Sequence, residues 1–348
     1  MKIILLLTCF ISVAYCTLII IRRGDDKLWE EYKNHFSKKY SDLDDALKRP
    51  IFDKALQEMW EHNKGYHKGE QSFSMGLNHF SDMTDDEINA LASGLEDKME
   101  CNNKSLLYSP PSNHPIPDGI DWNKRGYVTR VMNQGRCGAC WAFSGVAALE
   151  GQLKRRHGKL VKLSEQQLTD CSTLTGNSQC GGGQMCRAYE AAIVHGGIDT
   201  EDSYPYEDKG GDCRFSPENI GSPIKGYLEI PYGDEHALLM AVALIGPVAA
   251  GLDGYRPKFR HYKSGIYDDP GCSNTTLDHA LTITGYGTEN GKDYWIVKNS
   301  WSTRWGEDGF AKMVRNKHNQ CGLASRALFP VLDAKPDGSP VLLGPRAM

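Results

Sequence analysis

Eight of the eleven cysteines lie between Cys137 and Cys321, in a 348-residue chain that opens on an apolar leader. That density is foreign to a reducing cytosol and points to disulfides formed in an oxidising compartment. The leader agrees: Lys2 precedes an apolar run from Ile3, and Ala14 and Cys16 supply small residues where a signal peptidase reads. Residues 1–16 are therefore expected to be a signal peptide. The rival reading, an anchor over residues 3–21, would leave Arg22 and Arg23 on the far side, against the positive-inside tendency. No stable membrane insertion is expected. A net charge of −4 offers no basic excess for a phosphate backbone, so nucleic acid is not expected as a partner.

Charge divides the rest of the chain. Residues 17–115 carry 13 basic and 18 acidic side chains, whereas residues 116–348 carry 26 of each. The acidic part predicts helices over 29–40 and 42–63, the second with Leu43, Leu47, Phe52, Leu56 and Met59 near 3.6 spacing. Pro50 falls inside it and is expected to kink it. Four prolines in 109–117 preclude regular helix and predict an exposed linker where a protease would cut. Beyond it, helices are expected over 140–156, from the capping box Ser164–Gln167, and over 185–195. Strands follow at 248–252, 280–286, 294–299 and 310–314, the middle pair joined through Asn290-Gly291. Helices first and antiparallel strands second predict an α+β fold with a seam between two halves.

One constellation carries chemistry. Cys140 stands where the glycine-bearing loop Asn133-Gln-Gly-Arg-Cys-Gly-Ala139 enters a helix, and unpaired N–H groups there favour a thiolate. A zinc knuckle from Cys137 and Cys140 would need a second pair, and Cys180 and Cys186, five residues between them, fit poorly. A redox pair would need a thioredoxin-like βαβ context, which the sequence lacks. A cysteine nucleophile needs a base and a group to orient it. His279 begins one strand and Asn299 ends its partner, so the hairpin brings an imidazole to an amide oxygen, with Trp301 positioned to cover the bond.

Gln134 with Cys137-Gly-Ala-Cys140-Trp141, Leu277-Asp278-His279-Ala280, Tyr294-Trp-Ile-Val-Lys-Asn299-Ser-Trp301 and Cys180-Gly-Gly182-Gly183 together resemble the cathepsin L group of papain-family cysteine proteases. The resemblance implies a papain-like two-lobe fold, a helical lobe plus an antiparallel β-barrel-like lobe, behind a helical N-terminal prodomain. It implies an inhibitory propeptide at 17–115, a peptidase domain at 116–332 and a C-terminal tail at 333–348. By the same resemblance Cys140 is the nucleophile, His279 its proton partner, Asn299 the orienter, and Gln134 an oxyanion-hole donor. Gly182, Gly183, Met185, Gly251, Leu277, Asp278, Trp301 and Arg326 would bind substrate, with Arg326 at the floor of the pocket for the second residue before the cut. Whether Arg326 turns inward or to solvent is left open by the sequence.

The acidic half carries two prosegment motifs of that family. Asp44, Lys48, Phe52, Ala55, Met59 and Asn63 keep the spacing of the first, with Ala55 a departure; Gly76-x-Asn78-x-Phe80-x-Asp82 matches the second. The family pattern pairs Cys137 with Cys180, Cys171 with Cys213, and Cys272 with Cys321. Prosegments of the family run through the cleft opposite to substrate, which brings the chain after about Leu95 out near Cys186. Cys101 and Cys186 are nonetheless expected as two unpaired thiols, with a disulfide tether as the competing account. Asn103 and Asn274 head glycosylation sequons. Expected partners are polypeptide substrates, the chain's own propeptide and, by resemblance, cystatin-type inhibitors. No cofactor or metal is called for, a monomer is expected, and the destination is a lysosome or the extracellular fluid. The alternative is a catalytically inactive homologue serving as a binding protein; the presence of Cys140, His279, Asn299 and Gln134 argues against it.

Overall fold

The structure, a computed structural model, describes residues 4–8, 17–21, 25–92, 94–96, 101, 106–112 and 114–333. The expected cleavage after Cys16, the sequon at Asn103 and the tail beyond Asp333 lie outside them. Two short strands, β1 (Ile4–Thr8) and β2 (Thr17–Ile21), pair antiparallel.

Helix α1 (Asp26–His35) begins where the Asp25 carboxylate accepts from the Lys27 and Leu28 amides, and it ends five residues earlier than its apolar pattern suggested. Helix α2 (Asp42–His67) starts at a Ser41 cap, with Asp42, Asp44 and Asp45 facing its positive end. It runs unbroken through Pro50 and four residues past the expected end. The two helices close on an aromatic cluster of Trp29, Tyr32 and Phe52. Ala55 is buried with Phe52 and Met59, so its small side chain belongs to the contact face. Asn63 explains its place in the first motif: its amide pairs both ways with the Met75 backbone, at 2.8 Å each, and docks α2 on β3 (Phe73–Met75). Helix α3 (Asp85–Ala92) opens on a reciprocal Thr84–Glu87 capping box. The short strand β4 (Leu106–Leu107) precedes the proline-rich segment, which is irregular, with Ser109, Pro111, Ser112 and Pro115 exposed and its other described residues half-buried.

The remainder is β5 (Ile120–Asp121), α4 (Cys140–His157), α5 (Glu165–Cys171), α6 (Met185–His195), β6 (Gly197–Asp199), β7 (Ile220–Pro223) and β8 (Gly226–Glu229). Then come α7 (Glu235–Leu244), β9 (Val248–Leu252), α8 (Pro257–Arg260), β10 (Tyr262–Tyr267), β11 (His279–Glu289), β12 (Lys292–Lys298), β13 (Phe310–Val314) and β14 (Ala327–Val331). One sheet runs β3-β10-β13-β12-β11-β9-β14-β8-β4, with β5 on β11. It is antiparallel except for β10–β13 and β4–β8. Its ends do not meet, so among the described residues the β lobe is an open sheet and no closed barrel forms. Both end strands, β3 and β4, come from the N-terminal part, which therefore covers both edges that would otherwise be unpaired. β11 and β12 turn through Asn290 and Gly291, both at positive φ (52° and 74°), the two-residue hairpin that Asn-Gly favours.

Buried apolar residues form two large clusters, one around the sheet (Trp295, Phe259, Phe329) and one around α4 and α6 (Trp141, Val146, Tyr189). Helix α4 is buried on nearly every side because it is built from small and apolar residues, and it ends at Gly158 in the left-handed region. Cys137–Cys180, Cys171–Cys213 and Cys272–Cys321 are bonded. A fourth disulfide joins Cys101 to Cys186 and corrects the expectation of two unpaired thiols. The cause is local: residues 94–96 are strapped beside Gly183 and Gln184, which delivers Cys101 to the first turn of α6. Among the described residues no helix is long and apolar enough to cross a membrane.

Candidate active site

Cys140 is the first residue of α4 and is fully buried. His279 opens β11, and its Nε2 lies 2.8 Å from Asn299 Oδ1. An amide oxygen only accepts, so Nε2 carries the proton and Nδ1 is left as an acceptor, 3.3 Å from the Tyr255 hydroxyl. Trp301 stacks on the imidazole at 4.5 Å between ring centres, covering the His279–Asn299 bond as its position in sequence suggested. The Asn299 oxygen also accepts from the Ser300 amide at 2.8 Å, which fixes which way the side chain faces. Gln134 is buried; its Oε1 accepts from Ser300 Oγ at 2.6 Å and its Nε2 donates to the Cys137 carbonyl at 3.1 Å.

The N-terminal segment lies directly on this site. The Gly183 amide donates to the Gly94 carbonyl at 2.9 Å, Leu95 N–H to the Asp278 carbonyl and Glu96 N–H to the Gly183 carbonyl, both at 3.3 Å. Leu95 is buried against Gly251, Leu277 and the Arg326 stem. Met185 belongs to the same cluster. Arg326 turns inward, and its guanidinium donates to the Glu96 carbonyl at 2.5 Å. The Glu96 carboxylate meets Arg187 at 2.6 Å. The second prosegment motif anchors the same region: Asn78 donates to the Arg260 carbonyl at 2.6 Å, and Phe80 packs edge-on to Trp301 at 5.0 Å. Gly182 takes φ 116°, letting the chain turn between Cys180 and the Gly183 contact. Asn274 is exposed.

Electrostatics reverse the simplest expectation. Burial pushes the Cys140 thiol up to about 12, more than backbone N–H groups of Ala280, Trp141 and Gly94 pull it down. Burial likewise lowers His279 to about 4, against the Asn299 bond. Helix position alone predicted a thiolate; with the N-terminal segment in place, desolvation wins and both groups are neutral. Burial also raises Asp278 to about 6, although the Gly254 and Tyr255 amides donate to it.

The sequence profile of papain family cysteine proteases matches residues 116–331, and that of the cathepsin propeptide inhibitor domain matches residues 29–88. The chain belongs to the papain family of cysteine proteases. It is 41% identical to a cathepsin L of Sarcophaga peregrina over 312 residues, covering 87% of this chain and 92% of that one. It is 41% identical to a procathepsin L of Felis catus over 312 residues, covering 88% and 92%. A digestive procathepsin L from the larval midgut of Tenebrio molitor superposes with a TM-score of 0.81 at 38% identity, covering 87% and 98%. The chain is thus a cathepsin L-like cysteine endopeptidase carrying its inhibitory propeptide. The passage of the chain near Leu95 through the cleft was expected from the family resemblance, whereas Gln184, Arg187 and Tyr255 escaped sequence reasoning. Nothing local marks them, because their roles arise only when distant segments meet.

Proposed function

We propose that this papain-family zymogen hydrolyses peptide bonds through Cys140 and His279, once residues 17–115 have left the peptidase domain at 116–332. The observation that carries this reading is the path of residues 94–96, which hydrogen-bond along Gly183 and Asp278 with Leu95 in a pocket and Gly94 against Cys140. A peptide substrate would use the same backbone partners.

With the segment gone, water reaches the pair and the desolvation that keeps both groups neutral is lifted. The Cys140 proton passes to His279 Nδ1, giving a thiolate beside an imidazolium that Asn299 steadies through Nε2. The thiolate attacks the substrate carbonyl carbon. Gln134 Nε2 and the Cys140 N–H donate to the oxyanion that forms. His279 then gives its proton to the leaving amine, and the acyl-enzyme remains on Cys140. Water, deprotonated by His279, attacks the thioester and releases the acid product. Met185, Gly251, Leu277 and Arg326 would set selectivity for the second residue before the cut.

The signal at 1–16 and the disulfides favour a secreted or lysosomal monomer, inhibited by its propeptide and by cystatin-type proteins, with glycans at Asn103 and Asn274. Cys140→Ser should give a folded, unprocessed precursor with negligible peptidase activity. His279→Ala should be comparably damaging, and Asn299→Ala milder, because it removes orientation but not the proton carrier. Full peptidase activity in Cys140→Ser would overturn the assignment.

A further inference from the structure

The Cys101–Cys186 disulfide crosses from the prosegment to the enzyme and so spans the segment, near Ile116, where the chain is expected to be cut. A backbone cut near Ile116 therefore breaks one of two covalent connections. We infer that Cys186 is a thiol–disulfide exchange site that keeps the prosegment on the enzyme after the cut, so that release takes a thiol reductant as well as proteolysis. This rests on the protease reading above.

The physical consequence is large. A severed prosegment is ordinarily lost on dilution, because its hold depends on its free concentration. Tethered through Cys186, residues 94–96 see the cleft at an effective concentration on the order of millimolar, whatever the bulk concentration. Cys186 is the second residue of α6, beside Met185 and one residue from Arg187, which already holds Glu96. The bond is therefore fixed at the end of the strap that covers Cys140.

The exchange balances with a dithiol as co-reactant. Cys101 is the more accessible of the two residues, being partly exposed where Cys186 is buried. A reductant thiolate attacks Cys101 Sγ, the S–S bond breaks, and its electron pair leaves on Cys186 at the positive first turn of α6. The second reductant thiol then displaces Cys101. The net products are two protein thiols and one oxidised, cyclic dithiol.

Two measurements on the full precursor test this. First, acidified wild type is run on denaturing gels without reductant. Prosegment and enzyme should migrate as one covalent species and separate on addition of dithiothreitol; two chains without reductant, or alkylation of both Cys101 and Cys186 in the unreduced precursor, would overturn the tether. Second, wild type and Cys101→Ser are processed anaerobically without thiol and diluted a hundredfold before assay. Cys101→Ser should gain activity roughly tenfold or more on dilution, while wild type stays inhibited until dithiothreitol is added. Equal recovery of both also overturns the proposal. A Cys101→Ser protein inactive even in dithiothreitol would instead count against the protease reading, and the gel result would stand independently.

Discussion

Gly94 rests against Cys140: a Cβ built on Gly94 would stand 2.8 Å from the Cys140 sulfur and closer still to the Gly138 carbonyl oxygen. The prosegment therefore covers the thiol with bare backbone. A side chain there cannot be accommodated by a rotamer change, because one of the obstructing atoms is main chain. Gly94→Ala should weaken the prosegment's hold by about 1–3 kcal/mol, the usual cost of overpacking, or roughly 5- to 150-fold. Labelling of Cys140 in the intact precursor by a thiol-directed epoxide should speed up accordingly. An unchanged labelling rate would show that Gly94 does not seal the thiol.

The neutral thiol and neutral imidazole predict two different pH profiles. In the precursor burial holds Cys140 near 12, so alkylation by iodoacetamide should stay slow through neutral pH and rise only in strong alkali. In the processed, reduced enzyme of the proposed function, removing the prosegment would open Cys140 to water and leave the helix N-terminus and His279 to favour the thiolate, so alkylation should already be fast below pH 7. Identical profiles for the two forms would remove desolvation as the cause of latency.

Long-range features of the enzyme were legible where chemistry is local to a motif. The bond between His279 and Asn299 follows from a hairpin whose turn, Asn290-Gly291, announces itself. Helix α6 was legible to the residue because Gly196 stops it in the left-handed region. Helix α7 was not, since Glu235–Leu244 is apolar on nearly all faces and carries no amphipathic period. The bond at Cys101 was legible only as the less favoured of two accounts. Pairing with Cys186 depends on where the Gly183 backbone directs residues 94–96, which no spacing rule encodes.

Arg326 gives a direct test of selectivity. It lines the pocket that Leu95 fills, with Gly251 and Leu277 as the apolar walls, and its guanidinium reaches the Glu96 carbonyl. In the processed enzyme the same guanidinium faces whatever replaces Leu95. Wild type should accept Leu and Phe at the second position before the cut, and should tolerate Glu there better than Arg326→Ala does. A drop of roughly tenfold in the Glu/Leu ratio of kcat/KM on Arg326→Ala is expected for one lost charged contact, about 1.5 kcal/mol. An unchanged ratio would refute this role.

Acid release of the prosegment should depend on His261. Its carbonyl accepts from the Gly76 amide at 2.8 Å, so the second prosegment motif sits directly over it. Burial, and then the neighbouring Arg260, hold its imidazole at about 4, although Asp85 and a bond to the Pro257 carbonyl oppose them. Facing water it would titrate near its ordinary value of about 6.5. Between those two values the released state binds more protons than the bound state, so the hold is complete above about pH 6.5, weakens as pH falls, and stops weakening below about 4. With the imidazole fully opened to water on release, this one side chain would loosen the prosegment at pH 4.5 by at most about two orders of magnitude. His79 adds to it in the same direction, lowered to about 4 by burial and by Lys38. His261→Phe keeps a buried ring and removes the titration, so its precursor should need a lower pH for half-maximal release. The check is the fraction of Cys140 labelled by epoxide, followed from pH 7 to 4 in wild type and His261→Phe precursors with processing blocked by cold. Superimposable curves would assign acid activation to groups other than His261.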